Sequence, residues 1–85
     1  MKFIPKDRRD KLQKIVNGPI SYDTKVLFRF AGIEAKDIIY GAAYNEATSY
    51  LRRMKFIKKG QHFKYKITEA GKLYLQKVIN ANIKE

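Results

Sequence analysis

In the stretch Leu51-Arg52-Arg53-Met54-Lys55-Phe56-Ile57-Lys58-Lys59-Gly60-Gln61-His62-Phe63-Lys64-Tyr65-Lys66-Ile67-Thr68-Glu69-Ala70-Gly71-Lys72-Leu73-Tyr74-Leu75 the hydrophobic period changes twice. Leu51 and Met54 close a helical pattern. Phe56-Ile57 is apolar, and 58–62 is a polar loop around Gly60. From 63 to 67 the alternation is strict. Phe63, Tyr65 and Ile67 share one face while Lys64 and Lys66 share the other, as a half-buried strand requires. The segment therefore predicts a β-hairpin with a basic tip and a basic outer face. Thr68 then caps a last helix, with Glu69 at its positive N-terminal end. Leu75, Val78, Ile79 and Ile83 mark that helix's buried stripe.

Upstream, residues 34–54 carry a nearly continuous helical signal. Tyr40, Tyr44, Ala47, Leu51 and Met54 recur at alternating spacings of four and three, which puts all five on one face. Gly41 weakens the middle by up to about 1 kcal/mol relative to alanine, so a break or kink is expected near it. Pro5 and the charged run 6–11 suit a helix N-terminus. Leu12, Ile15 and Val16 form that helix's apolar face, and Asn17-Gly18-Pro19 stops it. Ile20-Ser21 predicts a short strand. Ser21 or Asp23 caps a second helix with Val26, Leu27, Phe30 and Ala31 inward, ended by Gly32. The order is helix, short strand, helix, helix, hairpin, helix. That is the α+β order of a winged helix-turn-helix domain: a three-helix core, a β-hairpin wing and a C-terminal helix. With no repeat, linker or low-complexity segment, residues 1–85 read as a single domain.

Composition narrows the function. Of 85 residues, 19 are Lys or Arg and 8 are Asp or Glu, giving a net charge of +11. The hydrophobic fraction is 45% and the aromatic fraction 13%, too high for a disordered basic tail. No cysteine is present, so disulfides and Cys-ligated zinc are excluded, and His62 has no second histidine with which to hold a metal. No apolar run is long enough to span a membrane, and residues 1–5 are too short for a secretory signal. The expectation is a soluble cytoplasmic protein without membrane partner, metal or cofactor. A charge of +11 on so small a surface calls for a polyanion. Nucleic acid is the commonest, with anionic lipid and acidic proteins as rivals. The plainer alternative is a lysine-rich protein that is merely soluble.

The segments 51–57 and 65–75 resemble the archaeal and bacterial winged-helix regulators. In that family the recognition helix ends in a leucine, a short charged turn and a Gly-Leu-Ile-like strand start. A wing follows, then a strand-to-helix junction with the pattern Tyr-x-Leu-Thr-x-x-Gly-x-x-x-Leu. Here Ile67 stands where leucine is usual and Lys55 where the glycine before the strand is usual. The resemblance covers about residues 11–79, most specifically in the C-terminal half. The lysine-, isoleucine- and tyrosine-rich composition is also similar to that of small crenarchaeal chromosomal, plasmid or viral DNA-binding proteins.

With the 40-44-47-51-54 stripe inward, the opposite face of the helix shows Asn45, Thr48, Ser49 and Arg52, with Arg53 at its flank. Amide, hydroxyl and guanidinium groups read base edges and phosphates in a major groove about 12 Å wide. The bland alternative is an ordinary solvated face. Charge favours the groove: between Ala47 and Thr68 lie Arg52, Arg53, Lys55, Lys58, Lys59, Lys64 and Lys66, and no acid. Edge strands carry lysine to block aggregation, but that explains Lys64 or Lys66 rather than the whole run, so phosphate contact is the better account. His62 is a phosphate or minor-groove contact from the wing tip, or a plain turn residue. Tyr40, Tyr44 and Tyr65 suit packing better than base stacking. No phosphate-binding glycine loop and no nucleophile with a paired base exist, so no catalytic site is expected.

These readings converge on a sequence-specific double-stranded DNA-binding protein, a transcriptional regulator rather than an enzyme. A chromatin-type or architectural protein with little sequence preference is the first alternative. An RNA- or protein-binding winged-helix module is the second. A homodimer through the C-terminal helix is expected, with Leu75, Ile79 and Ile83 at its interface, because that stripe is wider than one docking face needs.

Overall fold

Ser21 starts the helix around which the other elements pack. Its backbone is extended (ψ 153°) and its Oγ accepts the Thr24 N–H at 3.2 Å. Of the two candidate caps, Ser21 is therefore the one used. That helix is α2 (Tyr22–Phe30), which follows α1 (Arg9–Val16). After them come α3 (Ala42–Arg53), β1 (Ile57–Lys59), β2 (Tyr65–Ile67) and α4 (Glu69–Asn82). The computed structural model describes residues 9–61 and 64–82. Within them the chain is a small α+β fold of four helices and one two-stranded antiparallel hairpin. No helix among these residues is long and apolar enough to cross a membrane.

α2 is the central element because Thr24 through Phe28 are all buried. It touches α3, α4 and β2. Leu12 and Val16 of α1, Val26, Leu27 and Phe28 of α2, Ala47 and Leu51 of α3, Ile57 of β1, and Leu75 and Ile79 of α4 make the core. Lys25 is buried with them, and its ammonium lies 2.8 Å from Asp37 Oδ2. That hydrogen bond holds the Asp37 carboxyl below its ordinary pKa.

The predicted helix does not begin at residue 34. Residues 33–40 are irregular, and α3 starts only after Gly41, where the break was expected. The physical reason is tertiary. Ile33 and Ala35 enter the core, and side chains of α1, α2 and the turn between them take over the backbone bonds of this connection. Gln13 donates to Glu34 O at 2.7 Å, Asn17 Oδ1 accepts the Lys36 N–H at 2.9 Å, and Tyr22 donates to Ile39 O at 2.9 Å. Consequently the five-residue stripe shortens. Ala47 and Leu51 are buried and Tyr44 half-buried, but Tyr40 (55% exposed) precedes the helix and Met54 (47% exposed) caps it. Ile20-Ser21 also differs from expectation: it joins no sheet among the described residues.

α2 and α3 end in the same way. Gly32 N–H bonds Arg29 O and Ile33 N–H bonds Phe28 O; correspondingly Lys55 N–H bonds Arg52 O and Phe56 N–H bonds Leu51 O, all at 3.0 Å. This paired 5→2 and 6→1 pattern needs a left-handed residue just past the helix. Gly32 supplies it at φ 98° and Lys55 at φ 61°.

In the hairpin Ile57 faces Ile67, Lys58 faces Lys66 and Lys59 faces Tyr65. Lys58 and Lys59 thus belong to a strand, not to the loop where the polar run 58–62 had placed them. Thr68 then ties three elements together. Its N–H bonds Phe56 O (2.9 Å), its hydroxyl donates to Lys55 O (2.6 Å), and its Oγ1 accepts the Gly71 N–H (3.1 Å). A Cβ on Gly71 would press into the Phe56 carbonyl oxygen and come within 2.8 Å of Ile67 Cγ1. The Thr68-x-x-Gly71-x-x-x-Leu75 spacing is therefore a lock that seats α4 on the hairpin base, with Leu75 in the core.

α4 corrects the expected dimer surface. Leu75 (0% exposed) and Ile79 (4%) fill the chain's own core. A small domain with a thin core uses its apolar stripe internally first. Ile83, the third expected interface residue, lies outside the described residues, as do His62 and Phe63.

Candidate nucleic-acid interface

α3 is oriented by its inward residues. Tyr44, Ala47, Thr48 and Leu51 recur at i, i+3, i+4 and i+7, the full buried stripe of a helix. Thr48 is 8% exposed, and its hydroxyl donates to Tyr44 O at 2.9 Å. Its expected place on the open face is corrected: the helical period itself puts it on the inner flank. Asn45, Ser49, Arg52 and Arg53 are exposed, as expected.

Two grooves flank this face. One runs between α3 and the hairpin and is lined by Tyr44, Asn45, Thr48, Ser49, Arg52 and Tyr65. The other runs between α3 and the start of α2, lined by Tyr22, Asp23, Ala43, Asn45, Glu46, Ala47, Ser49, Tyr50 and Arg53. Asn45 and Ser49 border both, so they stand on the crest between them. Arg52 leans to the hairpin side, its guanidinium carbon 5.6 Å from the centre of the Tyr65 ring. Tyr65 in turn meets Phe30 edge-on at 6.0 Å. One tyrosine thus links the outer face of α3, the hairpin and α2. Sequence patterning had placed Tyr65 on a packing face, and it is half-buried against the core; the contact with Arg52 is what patterning did not show. Glu46 was also missed, because it stands one residue before the acid-free run.

The hairpin carries the densest charge. Lys58 and Lys66 are directly opposed and both exposed, and Lys64 is exposed beside the turn. Like charges directly opposite on a sheet are destabilising. Lys59 is exposed on the other face of the hairpin, opposite Tyr65. Lys55, also exposed, sits at the corner where α3 passes into β1.

The start of α3 is anchored by Arg29. Its Nε donates to Tyr40 OH at 2.8 Å and its Nη1 to Tyr44 OH at 3.1 Å, and Glu34 Oε1 lies 3.8 Å from Nε. Tyr40 OH donates to Glu34 Oε1, closing the cluster. The Tyr40 hydrogen bond raises the Arg29 pKa further, and burial raises that of Tyr44. This arginine is structural: its Nε and Nη1 are taken up by the hydroxyls of Tyr40 in the connection and Tyr44 in α3.

Among the described residues no three His, Asp or Glu side chains gather as a metal site. No protein-family profile matches the chain, and neither a curated protein nor a solved structure matches it.

Proposed function

We propose that the chain is a winged helix-turn-helix protein that binds double-stranded DNA sequence-specifically, as a transcriptional regulator. α3 enters the major groove and the lysine hairpin lies on the flanking backbone as a wing. The observation that carries this is a run of exposed polar and basic side chains: the α3 crest Asn45, Ser49, Arg52 and Arg53 is followed by the hairpin lysines Lys58, Lys64 and Lys66, with no acidic residue in the chain between Ala47 and Thr68. A cross-strand lysine pair costs the free protein stability and is relieved by a polyanion. A helix about 10–12 Å across fits a groove about 12 Å wide. The connection 31–41 is longer than the roughly 3–4-residue turn of a simple helix-turn-helix, and it reaches α3 through the Tyr40 ring, 4.9 Å from that of Tyr44. Pairing of two copies belongs to the same proposal, with its surface moved. With Leu75 and Ile79 in the core, the apolar side chain that α4 leaves open is Leu73, 65% exposed.

The deciding experiment selects bound duplexes from a random pool and follows affinity against salt. A consensus is expected, together with a fall of about 1.8 in the magnitude of the salt slope for the Lys58→Ala/Lys66→Ala variant, about 0.9 per lost phosphate contact. An unchanged slope removes the wing from the interface. Tight binding without a consensus favours the architectural alternative, and preference for structured RNA over duplex favours the third.

A further inference from the structure

Glu46 is the only acid in α3. It is exposed and borders the groove shared with Asn45, Ser49 and Arg53. Among the described residues its carboxylate makes no hydrogen bond or ion pair. Nothing within the fold accounts for it. It lies beyond the first turn, where a helix dipole stabilises acids. The residues three and four further on are Ser49 and Tyr50, so it lacks a basic helix neighbour ahead. Asp23, the other acid of that groove, does sit in the first turn of its helix. On a surface built for a polyanion, an unpaired carboxylate weakens every contact with phosphate. It gains only where it meets a hydrogen-bond donor.

In the major groove the donors are the exocyclic amino groups of cytosine and adenine. Adenine N6 lies between N7 and the O4 of its thymine partner, two acceptors that repel a carboxylate. Cytosine N4 has an acceptor, the guanine O6, on one side only. We propose that Glu46 is a specificity-determining residue that accepts a hydrogen bond from the N4 amino group of a cytosine in the bound duplex, and so fixes one C·G pair of the site. This rests on the duplex-DNA function proposed above and names the base that function selects.

The test repeats the duplex selection with the wild-type protein, Glu46→Ala and Glu46→Gln. The wild-type consensus should contain one invariant C·G pair for each copy of α3 bound, so one in each half-site where two copies pair. Glu46→Ala should lose preference at that pair alone, binding the selected site about 5- to 150-fold more weakly, the equivalent of about 1–3 kcal/mol for one base contact. The same variant should bind random duplex more tightly, since a repulsive charge is gone. Glu46→Gln should move the preference at that pair from cytosine towards adenine, whose N6 and N7 match an amide. A consensus unchanged in both variants, with affinity raised equally for all duplexes, overturns the proposal and leaves Glu46 as a repulsive charge. So does a wild-type consensus without a fixed cytosine. A wild-type protein that binds no duplex instead overturns the DNA-binding function itself, before any variant is compared.

Discussion

Lys55 shows how one residue can serve two demands that pull apart. Its φ of 61° is the left-handed conformation, which a side chain makes unfavourable by roughly 1–2 kcal/mol. At the equivalent place after α2 the chain uses Gly32. Retaining a lysine after α3 puts an ammonium at the corner between the helix and the hairpin, at a cost to folding. Lys55→Gly should therefore raise stability by roughly 1 kcal/mol in urea denaturation, because glycine adopts this conformation freely. The same variant should lower the DNA-binding salt slope by about 0.9. A lowered denaturation midpoint would mean that the lysine stem contributes more by packing than the backbone loses. Thr48 and Glu46 make the residue-scale lesson symmetrical. A polar residue with helical spacing from Leu51 is buried, and a charged one beside Asn45 is open.

At the scale of elements, the crest of α3 and the hairpin are joined by a side-chain contact as well as by chain. Arg52 lies over the Tyr65 ring, and Tyr65 is braced edge-on by Phe30. A cation over an exposed aromatic face is worth about 0.5–1 kcal/mol. A double-mutant cycle of Arg52→Ala and Tyr65→Leu, read by urea denaturation of the free protein, should return a coupling of that size. Zero coupling would show that the hairpin is held against α3 by the Thr68 lock and backbone alone. The connection 31–41 is the other element whose behaviour depends on its neighbours. Its tie through Lys25 and Asp37 weakens in acid: the depressed Asp37 pKa means its stabilisation is complete above the ordinary value of 3.8 and is lost as pH falls through the lower folded value.

For the whole molecule, α4 closes the core rather than opening a second interface along the Leu75 and Ile79 stripe. The two residues lie in one cluster with Leu12, Val26, Leu27 and Leu51, contributed by α1, α2 and α3. Ile79→Ala should cost about 2–5 kcal/mol of folding stability, the range for truncating a buried isoleucine. That loss should not depend on protein concentration. A loss that grows on dilution would instead return Ile79 to a subunit interface. Leu73→Glu is the complementary variant: at dilutions where the protein is monomeric it should leave the denaturation midpoint nearly unchanged, and at higher concentration it should abolish sedimentation as a dimer.

The element types were legible in the amino-acid order wherever local signals agreed. Thr68 before Gly71 and Leu75, the alternation through Tyr65 and Ile67, and Ser21 before Val26 and Leu27 each specify one backbone geometry through a cap, a pleat or a helical stripe. The exposed crest of α3 followed in the same way, because a 3.6-residue period that buries Ala47 and Leu51 leaves Asn45, Ser49, Arg52 and Arg53 outside. What those signals could not carry was competition between distant partners. Residues 34–40 have helical composition, yet Ile33 and Ala35 gain more by entering the core while Gln13, Asn17 and Tyr22 satisfy the freed backbone. Whether Leu75 and Ile79 meet their own chain or a second copy is likewise not a local property. It is decided by how much apolar surface α1, α2 and α3 leave open, and only the packed structure makes that comparison.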